Sequence, residues 1–182
     1  IGTNSFHAVI VEVSPDGSYV TLDTHKEMVE LGPDVSRNFL SEETMIRAID
    51  AMKYIHRLCK NRQVETVLAY ATSAIRESRN GGEFIQNVID ETGIKIQAIP
   101  GTREAQLIGL AVQHAITLGD EPVLIIDIGG GSVEFIIGKG EQVIWKQSFE
   151  IGAARLIEKF KPSNATAYFN IEFYLWAMNT ET

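Results

Sequence analysis

The stretch Asp127-Ile128-Gly129-Gly130-Gly131-Ser132-Val133-Glu134 decides the fold. The residues before it, Val123 to Ile128, and after it, Val133 to Ile137, are apolar and rich in β-branched side chains, so the glycines and Ser132 join two predicted strands. Glycine leaves the backbone N–H groups of Gly129, Gly130, Gly131 and Ser132 without side-chain cover, and a phosphate can sit directly on such amides. Two better known glycine loops do not match the context. A Walker A loop needs Gly-Lys-Ser/Thr running into a helix, and a dinucleotide fingerprint needs a third glycine that opens one, whereas a strand follows here. A tight hairpin with glycines at left-handed positions is the competing reading.

The same device opens the chain. Ile1-Gly2-Thr3-Asn4-Ser5 superimposes on Ile128-Gly129-Gly130-Gly131-Ser132 at an offset of 127 residues, and Ala8-Val9-Ile10 falls on Phe135-Ile136-Ile137. Two copies favour a phosphate cradle over a plain hairpin. They divide the chain into related parts, 1–119 and 120–182, with Asp120-Glu121-Pro122 as the boundary and the second part incomplete. Ser5 and Ser132 are expected on opposing walls of one cleft.

Between the two copies the periodicity alternates. Phe6 to Val13, Tyr19 to Thr24 and Lys26 to Leu31 read as three extended runs, the first two joined by the turn Ser14-Pro15-Asp16-Gly17. Met45, Ile49, Met52, Ile55 or His56, and Cys59 then fall on one helical stripe behind a Ser41 N-cap, with Arg47, Lys53, Arg57 and Lys60 on the other face, which could meet an anion but reads first as a solvated surface. Val64 to Tyr70 reads as strand, 84–91 as helix closed by Gly93, Ile94 to Ile99 as strand and Thr102 to Leu118 as helix. The result is an α/β fold of duplicated β-β-β-α-β-α-β-α units, the second continuing through Gly138-Lys139-Gly140 into a strand over Gln142 to Phe149.

Composition narrows the function. The 182 residues are 45% hydrophobic and 22% charged, the balance of an ordinary globular chain rather than a disordered one. Lys and Arg number 16 against 24 Asp and Glu, a net charge of −8, and no basic block occurs, which argues against nucleic acid as a partner. The apolar runs are too short to span a bilayer. A single cysteine, Cys59, and the lack of a basic, apolar leader lead us to expect a cytoplasmic protein.

Asp127 and Glu134 flank the glycine turn and can face one cavity, where two hard carboxylates beside a phosphate cradle suit magnesium. The alternative for Glu134 is a solvated strand residue. His7, His25, His56 and His114 contain no pair at zinc-ligand spacing. Glu104 follows Gly101 at a helix start, where a carboxylate can hold and deprotonate water or simply stabilise the helix dipole. Arg76 follows Thr72-Ser73 at a strand end, where ligands collect in α/β proteins, although a lone arginine there also reads as surface. Asn164-Ala165-Thr166 matches a glycosylation sequon without consequence in a cytoplasmic chain.

At these residues the chain resembles the exopolyphosphatase and guanosine pentaphosphate phosphohydrolase family, within the actin, sugar kinase and Hsp70-like fold. The matching runs are Ile1 to His7, Ala71-Thr72-Ser73-Ala74-Ile75-Arg76-Glu77, Gly101-Thr102-Arg103-Glu104-Ala105-Gln106-Leu107-Ile108 and Asp127 to Glu134, continued by Gly152-Ala153-Ala154-Arg155-Leu156. The resemblance implies magnesium-dependent hydrolysis of a terminal phosphoanhydride bond of polyphosphate or guanosine pentaphosphate. It gives Glu104 the general base, Arg76 a phosphate contact, Asp127 and Glu134 the Mg2+, and Thr3, Asn4, Ser5, Ser73, Gly129, Gly130, Gly131 and Ser132 the phosphate. It also implies an aspartate immediately before Ile1, and Val133 stands where the family usually has threonine. From Lys161 onward the family pattern is not recognisable, and Tyr168, Phe169, Phe173, Tyr174 and Trp176 read as core or interface material; a homodimer stays open. A phosphate- or nucleotide-binding regulator without turnover is the alternative, with an actin-like ATPase or kinase behind it.

Overall fold

The computed structural model describes residues 1–35 and 37–161, so the aromatic cluster at 168–176 and the sequon lie outside the described residues. Strand β1 (Ser5–Val13) pairs antiparallel with β2 (Tyr19–Met28), and two helices follow, the short α1 (Gly32–Val35) and the long α2 (Glu42–Asn61). Next come β3 (Ala69–Ala71), α3 (Ser73–Arg76), α4 (Gly81–Thr92), β4 (Ile96–Ala98) and α5 (Gly101–Ala115). The chain continues through β5 (Val123–Ile128), β6 (Val133–Lys139), β7 (Gln142–Phe149) and α6 (Ala153–Phe160). β3 and β4 pair in parallel, and β5-β6-β7 is an antiparallel meander.

The strands around the glycine turn run as expected, β5 ending at Ile128 and β6 starting at Val133. Three other expectations need correction. Lys26 to Leu31 is not a third strand: Lys26 to Met28 complete β2, opposite Ser5 to His7, and Glu30 at φ 54° turns the chain away. The amides of Val29 and Leu31 donate instead to the carbonyls of Asn4 and Thr3. The strand expected from Val64 shrinks to Ala69–Ala71, where β4 offers a partner, and Leu68 is left 76% exposed. The helix expected to reach Leu118 ends at Ala115, because Ile116 is extended (φ −138°, ψ 144°). The short helices α1 and α3 carry too few residues for a periodic signal.

One core joins α2 and α4 to the β1–β2 hairpin. Met45, Met52 and Ile55 of the α2 stripe are buried with Phe6, Ala48 and Ala51 join them while Ile49 and Cys59 are only partly buried, and the Phe6 ring packs against Phe84 of α4 at 6.3 Å between centroids. α5 lies over β6 and β7 because Gly109 leaves room: a Cβ there would come within 3.0 Å of Val143 and 3.2 Å of Ile136. The offset of 127 is visible in the backbone as well as in the sequence. The Gly2 amide donates to the Ser5 carbonyl as the Gly129 amide donates to that of Ser132, and each hairpin carries a register shift at the equivalent point, Ile10/Val11 and Ile137/Gly138. No helix among the described residues is long and apolar enough to cross a membrane.

α2 begins on a polar knot. The Ser41 hydroxyl accepts from the Thr44 amide and donates to Asp34, and the Ser41 amide donates to the same Asp34 oxygen at 2.7 Å. Burial works against the Asp34 charge, but these bonds outweigh it and hold its pKa below the ordinary value. A depressed carboxyl contributes stability above its unfolded pKa and loses it as pH falls through the folded one. Ser41→Ala is expected to cost about 1 kcal/mol in denaturant unfolding, and Asp34→Asn to flatten the acid limb of the stability curve below about pH 5.

Candidate functional site

Four loops converge where the two β-turn-β tips meet. Gly130 faces Thr3 and Asn4 so closely that a Cβ would lie 3.0 Å from the Thr3 Cβ and 3.1 Å from the Asn4 side-chain nitrogen. Gly131 faces Ser73 and Thr3, and a Cβ there would fall 2.6 Å from the Ser73 hydroxyl and 2.8 Å from that of Thr3. The loops of Ser5 and Ser132 thus touch, rather than standing apart across an open gap at this point. Thr3, Ser73, Gly131 and Ser132 are buried, Ser5, Gly129 and Gly130 half-buried, and Asn4 exposed. The Ser73 hydroxyl is buried and has no hydrogen-bond partner among the described residues, which in a native site marks a place for a ligand or water.

The glycine loop is held by α6. The amides of Gly152, Ala153 and Ala154 donate to the carbonyls of Gly131, Gly129 and Gly130, so the loop's acceptors are consumed by the helix start. The amides of Gly130 and Gly131 donate to none of the described residues and remain free for an anion. Arg155 locks the arrangement: Nε donates to the Gly131 carbonyl at 2.9 Å, and Nη1 donates to the Val35 carbonyl and the Asn38 side chain at 3.0 and 3.1 Å.

The charged residues form a second layer. Arg76 closes α3, its Nε donating to Glu77 at 2.8 Å and its Nη1 to the Ile99 carbonyl at 3.0 Å and to Glu104 at 3.1 Å. The sequence alternatives of surface arginine and simple helix-dipole partner do not describe this pair, whose side chains are only 16% and 15% exposed. Burial disfavours the Arg76 charge, but Glu77 and then Glu104 outweigh it and raise its pKa. Glu104 is pushed up by burial first and by the neighbouring Glu134 second, with Arg76 opposing and Asp127 adding a further upward push. Glu134, 1% exposed, is no solvated strand residue; it accepts from the Ser148 hydroxyl at 2.7 Å. Asp127 lies directly opposite it in the β5–β6 ladder, so both carboxylates project from one face of the sheet, with Asp127 exposed. Neither forms an ion pair with a lysine or arginine among the described residues. No three His, Cys, Asp or Glu side chains among the described residues lie close enough to form a ready metal cage, so a cation here would draw on this acid pair and on other oxygens.

Sequence reasoning missed several members of the site. Arg155 stood only as part of a matching run, and Ser148 gave no signal at all. Glu77 and Glu150 form a hydrogen-bonded carboxyl pair between Arg76 and Arg155: burial and Glu77 raise Glu150, while Glu77 is lowered despite burial because Arg76 bonds to it. Gly101 lets the start of α5 close on β7, since a Cβ there would meet Ser148 at 2.6 Å.

With this geometry in view, relatives are informative. The model of the Ppx/GppA phosphatase family matches residues 9–180, and the chain belongs to that family. It is similar to a solved exopolyphosphatase from Cytophaga hutchinsonii, at 42% identity and a TM-score of 0.84 over 88% of this chain and 51% of that one. It is also similar to a bifunctional 3-dehydroquinate synthase/phosphatase of Fusobacterium nucleatum, at 38% identity over 90% of this chain and 26% of the relative. A guanosine-5'-triphosphate,3'-diphosphate pyrophosphatase of Photobacterium profundum is 36% identical over 88% of this chain and 32% of its own length. The chain therefore spans about half of that solved structure and between a quarter and a third of those curated relatives. The α/β architecture is that of the actin-like fold.

Because Glu134 is a cause of the raised Glu104 value, Glu134→Gln is expected to move the Glu104 titration downward in carbon-13 NMR. The sign has a stability counterpart: a raised carboxyl contributes fully below its unfolded pKa and loses that contribution as pH rises through the folded one. An unshifted Glu104 titration in Glu134→Gln would show that the two carboxylates do not sense each other.

Proposed function

We propose that this chain carries the catalytic elements of a phosphohydrolase that removes the terminal phosphoryl group of inorganic polyphosphate or guanosine pentaphosphate as orthophosphate. One observation supports this above the rest: a glycine loop whose amides donate to none of the described residues lies against Thr3 and the Ser73 hydroxyl, and the short helix that Ser73 opens ends in Arg76, which holds the half-buried Glu104, a carboxyl of raised pKa. A family whose members include an exopolyphosphatase and a guanosine-5'-triphosphate,3'-diphosphate pyrophosphatase fits the same chemistry.

The roles follow from position. The amides of Gly130 and Gly131, with the Thr3, Ser5, Ser73 and Ser132 hydroxyls and Asn4, bind phosphoryl oxygens and align the terminal phosphorus for in-line attack. Glu104 accepts a proton from the attacking water; the new O–P bond forms as the bridging P–O bond breaks, and the shortened phosphate chain leaves. A base raised toward the working pH takes that proton more readily than an ordinary carboxylate. Arg76, anchored on Glu77 and the Ile99 carbonyl, holds Glu104 in place and offers positive charge to the phosphoryl oxygens. Asp127 and Glu134, an acid pair without a basic partner among the described residues, fit a Mg2+ ion, which would supply neutralisation of phosphate charge there.

Glu104→Gln keeps the shape of the side chain but cannot take the proton. Its orthophosphate release from either substrate is expected to fall roughly 100-fold or more while substrate binding persists. Near-parental turnover removes Glu104 from the catalytic role. Turnover lost with binding retained in excess chelator, and restored by Mg2+, is the expected result for the acid pair.

A further inference from the structure

Two carboxyl groups from the two halves of the chain meet beside the site. Glu77 follows α3 and Glu150 follows β7, and their side chains share a hydrogen bond. An ionised carboxyl only accepts, so two of them bond only when one carries a proton. The neighbouring arginines decide which. Arg76 Nε donates to Glu77 at 2.8 Å and fixes the negative charge there, whereas Arg155 Nη2 stands 3.6 Å from Glu150, too far for a hydrogen bond. The proton therefore sits on Glu150, which donates to Glu77. Burial and then Glu77 push the Glu150 carboxyl up against the opposing charges of Arg155 and Arg76, in agreement with that placement.

Glu150 has a second partner within reach. Arg155 Nη2 is buried without a hydrogen-bond partner among the described residues, although Nε and Nη1 of the same guanidinium donate to Gly131, Val35 and Asn38. An ionised Glu150 is repelled by Glu77 and drawn to Arg155, and a shift of about 1 Å brings it to charge-assisted bonding distance. What each partner leads to differs. Glu77 continues through Arg76 to Glu104, whereas Glu150 lies two residues before Gly152, on the segment whose amides hold the glycine loop. The charged side chains that face the carboxyl pair are Arg76 of α3 and Arg155 of α6, with Glu104 of α5 behind Arg76.

We propose that Glu150 is a positioning residue with two states. Protonated, it bonds to Glu77 and ties the Arg76–Glu104 pair to the segment that carries the glycine loop; ionised, its proton released to solvent, it turns to Arg155 and unties them. The effect on turnover rests on the phosphohydrolase reading, whereas the switch between partners does not. Glu104 must lose its proton to act and governs the acid limb of a pH profile, so Glu150 governs the alkaline limb.

Carbon-13 NMR of the glutamate carboxyls in the full chain tests the switch without any turnover. Glu77 and Glu150 are expected to titrate as a pair, each resonance moving in both steps, and Glu77→Gln is expected to lower the Glu150 titration by removing the charge beside it. Independent single-step titrations, or a Glu150 titration unmoved in Glu77→Gln, would overturn the proposal. Phosphate release gives the second readout. In the parent chain kcat is expected to fall about tenfold as Glu150 ionises, with KM changed less than about twofold. Glu150→Gln offers Glu77 an amide donor at every pH and is expected to lose that alkaline fall, whereas Glu150→Ala is expected to show the low kcat throughout. An alkaline limb in Glu150→Gln identical to the parent's would sink the positioning role. A chain that binds substrate without turning it over removes the phosphohydrolase reading, and the carboxyl titrations then uphold or overturn the switch by themselves.

Discussion

Close approach of backbone to side chain at Gly130 and Gly131 is the constraint on which the structure turns. A Cβ at Gly131 would fall within 3.0 Å of Ser73 and Thr3, and one at Gly130 would press on Thr3 and Asn4 at 3.0 to 3.1 Å; the space they leave brings residues 3, 73 and 131 into one place. Gly152 carries the same requirement from the other side, since a Cβ there would meet the Gly130 and Gly131 backbone at 2.5 Å. The result is a loop whose carbonyls face α6 and whose free amides are available elsewhere. Arg155 ties it to the first half of the chain, reaching from α6 to Gly131, Val35 and Asn38.

Charge around Arg76 is shared among several carboxylates. Arg76 stabilises the ionised form of Glu104 while Glu134 and Asp127 destabilise it, and burial magnifies both effects by removing water that would screen them. The same arginine serves Glu77, which shares a hydrogen bond with Glu150, which in turn lies 3.6 Å from Arg155. The glycine loop and the candidate base are thus linked through Arg155, Glu150, Glu77 and Arg76.

What the sequence makes legible is local. The glycine turn with its strands, the Ser41 cap and the α2 stripe depend on neighbours within a few residues, and they stand as expected. The extent of β3 depends on a parallel partner found only after α4, so β-propensity over Val64 to Tyr70 overstates it. The same holds for the site. The candidates are nameable from motifs, but the Arg76–Glu104 bond joins residues 28 apart, Ser148 meets Glu134 from 14 away, and Arg155 reaches Val35 across 120 positions. Long-range pairings of this kind have no signature in a single sequence, which is why a lone arginine and a helix-capping glutamate looked like plausible ordinary residues.

The unequal chemistry of the two matched tips has a consequence for ancestry. Where one copy reads Thr3-Asn4, the other reads Gly130-Gly131, and the side chains of the first occupy the volume given up by the second. A symmetric pair of identical ancestors has no such option: two Thr-Asn tips would collide on the twofold axis, and two Gly-Gly tips would leave a void between them. Joining both copies in one polypeptide removes the symmetry requirement and lets each tip evolve a shape that only its sister can complement. The room for a side chain in either tip is therefore set by a residue more than a hundred positions away.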